Sequence, residues 1–104
     1  MKIYNIRVAA IPTECYYRID TIEVVEKPAT YVGEGKKIAK DKIMKIDTIF
    51  HESHKAIRYF TYCLEGQQQE AITMLKNHCI KKANQYHAEI LATIEKLNGN
   101  INGI

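Results

Sequence analysis

The stretch "QQQEAITMLKNHCIKKANQYHAEILATIEKL", residues 67–97, holds neither proline nor glycine, and its reading decides the architecture. Its apolar positions Ile72, Leu75, Cys79, Ala83, Tyr86, Ile90, Ile94 and Leu97 are separated by steps of 3, 4, 4, 3, 4, 4 and 3. That eleven-residue rhythm corresponds to about 3.67 residues per turn, close to a straight α-helix. Ala, Leu, Gln, Glu and Lys, all good helix formers, dominate the segment. Gly99 is the expected stop. A break near Asn77-His78 or Asn84 would divide the helix in two, although no strong breaker requires it.

Helix length then constrains assembly. About 30 helical residues span roughly 45 Å. A compact chain of this size has a radius of gyration of about 13 Å and is roughly 35 Å across. Strands of six to ten residues cannot cover the whole apolar stripe, so part of it is expected to bury against another copy of the same helix. Those eight apolar positions are the expected interface of a homo-oligomer.

Ahead of the helix the pattern is that of strands. Residues 2–11 alternate, with Tyr4, Ile6, Val8 and Ala10 on one side and Ile3, Asn5, Arg7 and Ala9 on the other. Pro12-Thr13-Glu14 is a turn, and a second strand is expected from Cys15 to about Glu26. Its apolar parity changes between Tyr17/Ile19 and Ile22/Val24, which predicts a bulge near Asp20-Thr21. Pro28 closes that strand. Thr30–Val32 is extended and Gly33-Glu34-Gly35 turns, both glycines being assigned to the turn because turns need positive φ. The 39–46 stretch reads as irregular structure leading into a strand. "KIDTIF" (45–50) and "KAIRYFTYC" (55–63) form a probable hairpin around "HESHK". The fold class is therefore α+β: an antiparallel sheet of four or five strands, then one long C-terminal helix. One domain of 104 residues is expected, with 1–63 as the sheet part, 64–98 as the assembly part and 99–104 as a tail.

Composition narrows the function classes. With 46% hydrophobic and 26% charged residues the chain is ordinary for a folded protein. Its net charge of +3 is concentrated: five lysines and one aspartate between Lys36 and Lys45 give +4 there, leaving −1 for the remainder. A cluster this local suits a small anion or an acidic protein patch better than non-specific nucleic-acid binding. Three widely spaced cysteines, Cys15, Cys63 and Cys79, fit a reducing compartment. The N-terminus shows no signal-peptide pattern and no run approaches the roughly 18 apolar residues of a membrane span, so a cytosolic location is expected.

Chemical motifs are sparse. His51 and His54 flank Glu52, but two ligands in a loop lack a third and fourth, and no metal or cofactor is expected. His78 and Cys79 have no companion spacing. "GEGKK" (33–37) lacks the spacing and the Ser or Thr of a phosphate loop. Cys63 paired with a histidine would be a catalytic dyad only on thin grounds; a strand cysteine is more often simply buried. No catalytic residues are assigned. Eight of the nine aromatics precede Gly66, and Tyr16-Tyr17-Arg18 and Arg58-Tyr59-Phe60 join tyrosine faces to arginine. Tyrosine stacks and arginine grips phosphate, although the same residues serve equally as core and wet face. The lysines of 36–45 alternate with Ile38, Ile43 and Ile46 as on a solvated strand, and backbone amides of Gly33–Lys36 offer an anion nest. Candidate ligand contacts are Tyr31, Lys36, Lys37, Arg58 and Tyr59, joined by Lys81 and Lys82 from a neighbouring copy.

The organisation of "TYVGEGKKIAKDKIMKI" (30–46) followed by "YFTYCLEGQQQEAITMLKNHCIKK" (59–82) resembles small phage and prophage accessory proteins. These are about a hundred residues long, with an N-terminal antiparallel sheet and a long C-terminal helix used for assembly. The resemblance implies a counter-defence role in the host cytoplasm. Its leading form is non-catalytic sequestration of a cyclic-nucleotide or ADP-ribose-type immune signal within an oligomer. Its alternative form is an anti-CRISPR-like protein that masks a host defence protein. A small nucleic-acid-binding regulator is the third expectation, placed behind both because the charge is local.

Overall fold

The computed structural model describes residues 1–49 and 56–100, with side chains as far as Leu97. Its elements are β1 (Lys2–Ile11), β2 (Glu14–Glu23), β3 (Val25–Glu26), β4 (Thr30–Gly33), β5 (Lys36–Ala39), a 3₁₀ turn (Lys40–Lys42), β6 (Asp47–Thr48), β7 (Ile57–Leu64) and α1 (Gln68–Asn100). They build a four-stranded sheet, β2-β1-β7-β6, and a three-stranded sheet, β3-β4-β5, with every strand pair antiparallel. The α+β reading holds, and the second small sheet is an addition to it. Among the described residues no helix is long and apolar enough to cross a membrane.

Two cores lie on opposite faces of the large sheet. On one face Ile6 and Val8 of β1 and Ile57, Tyr59 and Cys63 of β7 pack beneath Ala71, Leu75 and Cys79 of the helix. On the other, Ile3, Ile22 and Val24 meet Tyr31 and Ile38 of the small sheet. This explains the parity change along β2. The strand pairs with β1 in unbroken register from Ile11↔Glu14 to Lys2↔Glu23, with no bulge at Asp20-Thr21. Tyr17 and Ile19 point to the helix side, beyond the cover of the helix-side core, and are exposed. Ile22 points to the opposite side, where the small sheet buries it. Apolar parity followed the covered face, not the backbone.

The two glycines of "GEG" have different reasons. Glu34 (φ 51°) and Gly35 (φ 74°) both adopt the left-handed conformation, as the centre of a type I′ hairpin turn requires. Gly33 instead sits against the end of β2, where a Cβ would lie 2.0 Å from the Glu23 carbonyl oxygen and 2.9 Å from Val24 Cα. Gly33 and Lys36 face each other as ladder partners, so two of the four residues whose amides an anion nest would use belong to the hairpin ladder.

The helix is continuous from Gln68 to Asn100 and passes through Gly99. Its 33 residues span about 50 Å. The eight residues of β7 cover only about 26 Å. The molecule is accordingly 66 Å long and 23 × 19 Å in section, with a radius of gyration of 18.6 Å rather than the value for a compact globule. The expected interface divides at this point. Leu75 and Cys79 are buried against the chain's own sheet, and Ile72 and Tyr86 pack at the edge of that core, so these four are not spare surface. Ala83, Ile90, Ile94 and Leu97 remain exposed, joined by Ile80 and Leu91.

Gly33→Ala is expected to destabilise the chain by about 1–3 kcal/mol, because the backbone it would strike has no rotamer to yield. Gly35→Asn, with open space and a residue that tolerates left-handed φ, should cost less than about 1 kcal/mol. Urea denaturation of the two variants checks the order, and equal costs would contradict the close-approach explanation.

Candidate anion-binding face

Strand alternation sends the other set of β7 side chains, Arg58, Phe60 and Tyr62, to the face away from the helix. The two-residue Pro12-Thr13 connection sets β1 against β2 so that Arg7 faces Arg18 and Ala9 faces Tyr16. The β1–β7 pairing sets Arg7 opposite Phe60, Asn5 opposite Tyr62 and Ala9 opposite Arg58. Two rows follow, Tyr16–Ala9–Arg58 and Arg18–Arg7–Phe60, with Asp47 of β6 paired beyond Phe60. Three guanidinium groups from three adjacent strands thus share one face.

Like charges directly opposite in a sheet cost roughly 0.2–1 kcal/mol, so this arrangement is not one that stability favours. Local partners moderate it. Arg18 Nε donates to Asp20 Oδ1 at 3.1 Å, and Arg7 Nε donates to Oδ1 of the buried Asn5 at 2.8 Å. The first is an exposed ion pair of the kind that contributes little. The second is with a neutral amide and leaves the charge of Arg7 in place. A hollow of about 340 Å³ is lined by Arg7, Arg18, Arg58 and Tyr16 together with Ala9 and Ile49.

Further along the same face the small sheet and the 40–46 segment overhang the large sheet. Between them is a cleft of about 480 Å³ walled by Lys37, Lys42, Lys45, Asp47, Phe60 and Tyr62. Phe60 and Tyr62 meet edge to face, with centroids 5.8 Å apart and an interplanar angle of 86°. The segment that supplies the lysines is tied to β7: Met44 N–H donates to the Tyr62 carbonyl at 2.7 Å, and the Thr61 hydroxyl donates to the Lys45 carbonyl at 2.8 Å. Met44 takes φ 59° there, a conformation costly for a non-glycine residue, and its side chain packs with the helix-side core. Lys37, Lys42 and Lys45 make no ion pair among the described residues, whereas Lys40 turns away to Glu26 at 2.8 Å.

The residues singled out from sequence are scattered. Tyr31 and Tyr59 are core residues, 6% and 5% exposed, and do not offer ring faces to a ligand. Tyr59 instead meets His78 edge to face at 4.3 Å, which also gives that helix histidine a packing role. Lys36 is exposed beside the hairpin turn and is not part of the cleft wall, while Lys37 is. Lys81 and Lys82 belong to the helix, on the opposite side of the sheet from the cleft. Arg58 lies in the arginine hollow. His51, Glu52 and His54 fall outside the described residues. Cys63 is completely buried, and desolvation, then the nearby Glu65 charge, push its thiol above the ordinary cysteine value. It holds its proton at neutral pH, which is unsuited to a nucleophile.

Arg7, Lys42, Lys45, Phe60 and Tyr62 were not among the expected contacts. The signal for Phe60 and Tyr62 was strand parity: neighbours such as Arg58 and Tyr59 project to opposite faces and cannot share a ligand, whereas Arg58, Phe60 and Tyr62 can. Arg7 was hidden by the turn: a turn read as Pro12-Thr13-Glu14 implies a different register from the two-residue Pro12-Thr13 connection that sets Arg7 opposite Arg18. Compared with family models, curated proteins and solved structures, the chain shows no match.

Proposed function

We propose that this is a non-catalytic binding protein that takes an anionic, nucleotide-like ligand in the cleft between its two sheets. One observation carries the reading: three lysines and an aromatic pair converge on a single cleft of about 480 Å³, a size in the range of small-molecule sites. The lysines supply charge for phosphate, and Phe60 and Tyr62 supply an apolar wall for a base. The resemblance to phage accessory proteins gives this chemistry a setting, the sequestration of a cyclic-nucleotide or ADP-ribose-type immune signal in the host cytoplasm. Isothermal titration against cyclic dinucleotides, cyclic ADP-ribose isomers and linear mononucleotides is expected to find at least one binder. The double variant Lys42→Glu/Lys45→Glu should abolish that binding with the fold intact by circular dichroism. Silence across the panel, or an unaffected double variant, contradicts the reading.

A second reading, a protein that masks a host defence component, is favoured by β2. This ten-residue strand stands at the sheet edge, with Tyr16 and Tyr17 54% and 60% exposed. Such an edge is a template for an added strand. No response from the nucleotide panel, together with one stoichiometric host protein retained in a pull-down that blocking β2 abolishes, would establish it instead.

Assembly belongs to the same proposal. In the part of the helix beyond the sheet, Ile80, Ala83, His87, Ile90, Ile94 and Leu97 follow steps of 3, 4, 3, 4 and 3, the heptad rhythm of a two-helix seam. The flanking positions Asn84, Leu91, Tyr86 and Thr93 are uncharged, so a second copy meets no like-charge repulsion there. Ile90→Asp is expected to convert a homo-oligomer to a monomer by light scattering. A wild-type chain that is monomeric at high concentration would contradict this.

A further inference from the structure

The cleft does not end where a single nucleotide would. Phe60 and Tyr62 line both it and a hollow of about 160 Å³ that also touches Asn5 and Arg7. Arg7 and Ile49 in turn line both that hollow and the arginine hollow of about 340 Å³. Three depressions therefore lie side by side across the face opposite the helix, each sharing walls with the next. Three strand intervals of about 4.8 Å put roughly 14 Å between β2 and β6, and the lysine-bearing segment extends the path beyond. Cations stand at both ends, Arg18, Arg7 and Arg58 at one and Lys37, Lys42 and Lys45 at the other, with the aromatic pair between them. Among the described residues Asp47 is the one acid lining the three depressions, and Asp20 stands beside Arg18.

We infer that the ligand of this face is a short single-stranded nucleic acid, its phosphates running between the lysine and arginine ends and a base stacking at Phe60 and Tyr62. The inference rests on the nucleotide reading of the cleft and extends it to a linear polyanion. A mononucleotide fills the lysine cleft and leaves the three arginines of the neighbouring hollow unused. Guanidinium groups grip phosphate bidentately, and aromatic rings on an open sheet stack unpaired bases, a combination shared by sheet-surface readers of single strands. An acidic peptide would use the charges but not the rings. A duplex would present no free base faces to them.

The test is fluorescence anisotropy with labelled oligothymidylate and oligouridylate of about eight nucleotides, in competition with thymidine and uridine monophosphates, a duplex of equal length and poly-glutamate. An octamer is expected to bind at least about tenfold more tightly than its monophosphate, with log affinity falling linearly against log salt. Arg18→Gln, at a side chain 69% exposed and so safe for the fold, and Arg58→Gln should each weaken octamer binding and flatten that slope by about 0.7. Neither should change monophosphate binding. Phe60→Leu should weaken octamer and monophosphate alike, by at least about fivefold. An octamer no tighter than the monophosphate, neutral arginine variants, or equal competition by duplex or poly-glutamate would each overturn the inference and leave the cleft reading standing. Absence of binding by monophosphate and octamer alike would overturn the inference, and silence of the cyclic dinucleotides and cyclic ADP-ribose isomers as well would remove the cleft reading with it.

Discussion

Everything in this molecule depends on how β7 divides its side chains. Tyr59, Thr61 and Cys63 are buried on the helix side, and Arg58, Phe60 and Tyr62 stand on the other. Leu75 and Ala71, both fully buried, lock that choice. A slip of one residue would place a guanidinium beneath the helix and put Tyr59 into water, an exchange no core of this size tolerates. The helix therefore does more than cover a core. By fixing the register of β7 it selects which side chains form the opposite face.

That opposite face gathers cations from four strands and the 40–46 segment around an aromatic pair. Its lower end is closed by the small sheet over Ile3 and Ile22, while its upper end sets Arg7 directly opposite Arg18, a like-charge pairing that Asn5 and Asp20 moderate. Natural structures violate local preferences mainly where function asks for it. The helix makes a parallel case. Its first part is spent on the sheet, and its second part keeps Ile90, Leu91, Ile94 and Leu97 exposed at 44–59%. Isolated apolar residues on a surface are ordinary; a row at heptad spacing on a projecting rod is what the proposed assembly would bury.

Much of this was legible in the sequence, and the failures have physical causes. The helix announced itself because thirty residues of one periodicity leave little alternative, and β1 did so by alternation. The turn after β1 was also legible, but reading it as Pro12-Thr13-Glu14 when Glu14 already belongs to β2 hid the pairing of Arg7 with Arg18. Two other features were not legible. The parity change in β2 looked like a bulge because a single sequence does not say that two cores lie on opposite faces of one strand. Gly33 looked like a turn glycine because its real neighbour, the Glu23 carbonyl, is brought in by tertiary packing. Tyr31 and Tyr59 were drawn into the site by chemistry alone, yet strand alternation already separated Tyr59 from Arg58. The eight-residue apolar stripe read as one interface because periodicity records burial without naming what buries it.

The most direct test of the central claim, that the face away from the helix is the contact surface, is a backbone and side-chain NMR titration with a short oligothymidylate. The account predicts shift changes at Arg7, Arg18, Arg58, Phe60 and Tyr62, while the resonances of Leu75, Cys79 and Lys81 stay still. Perturbations confined to the helix, or spread evenly over both faces, would contradict it.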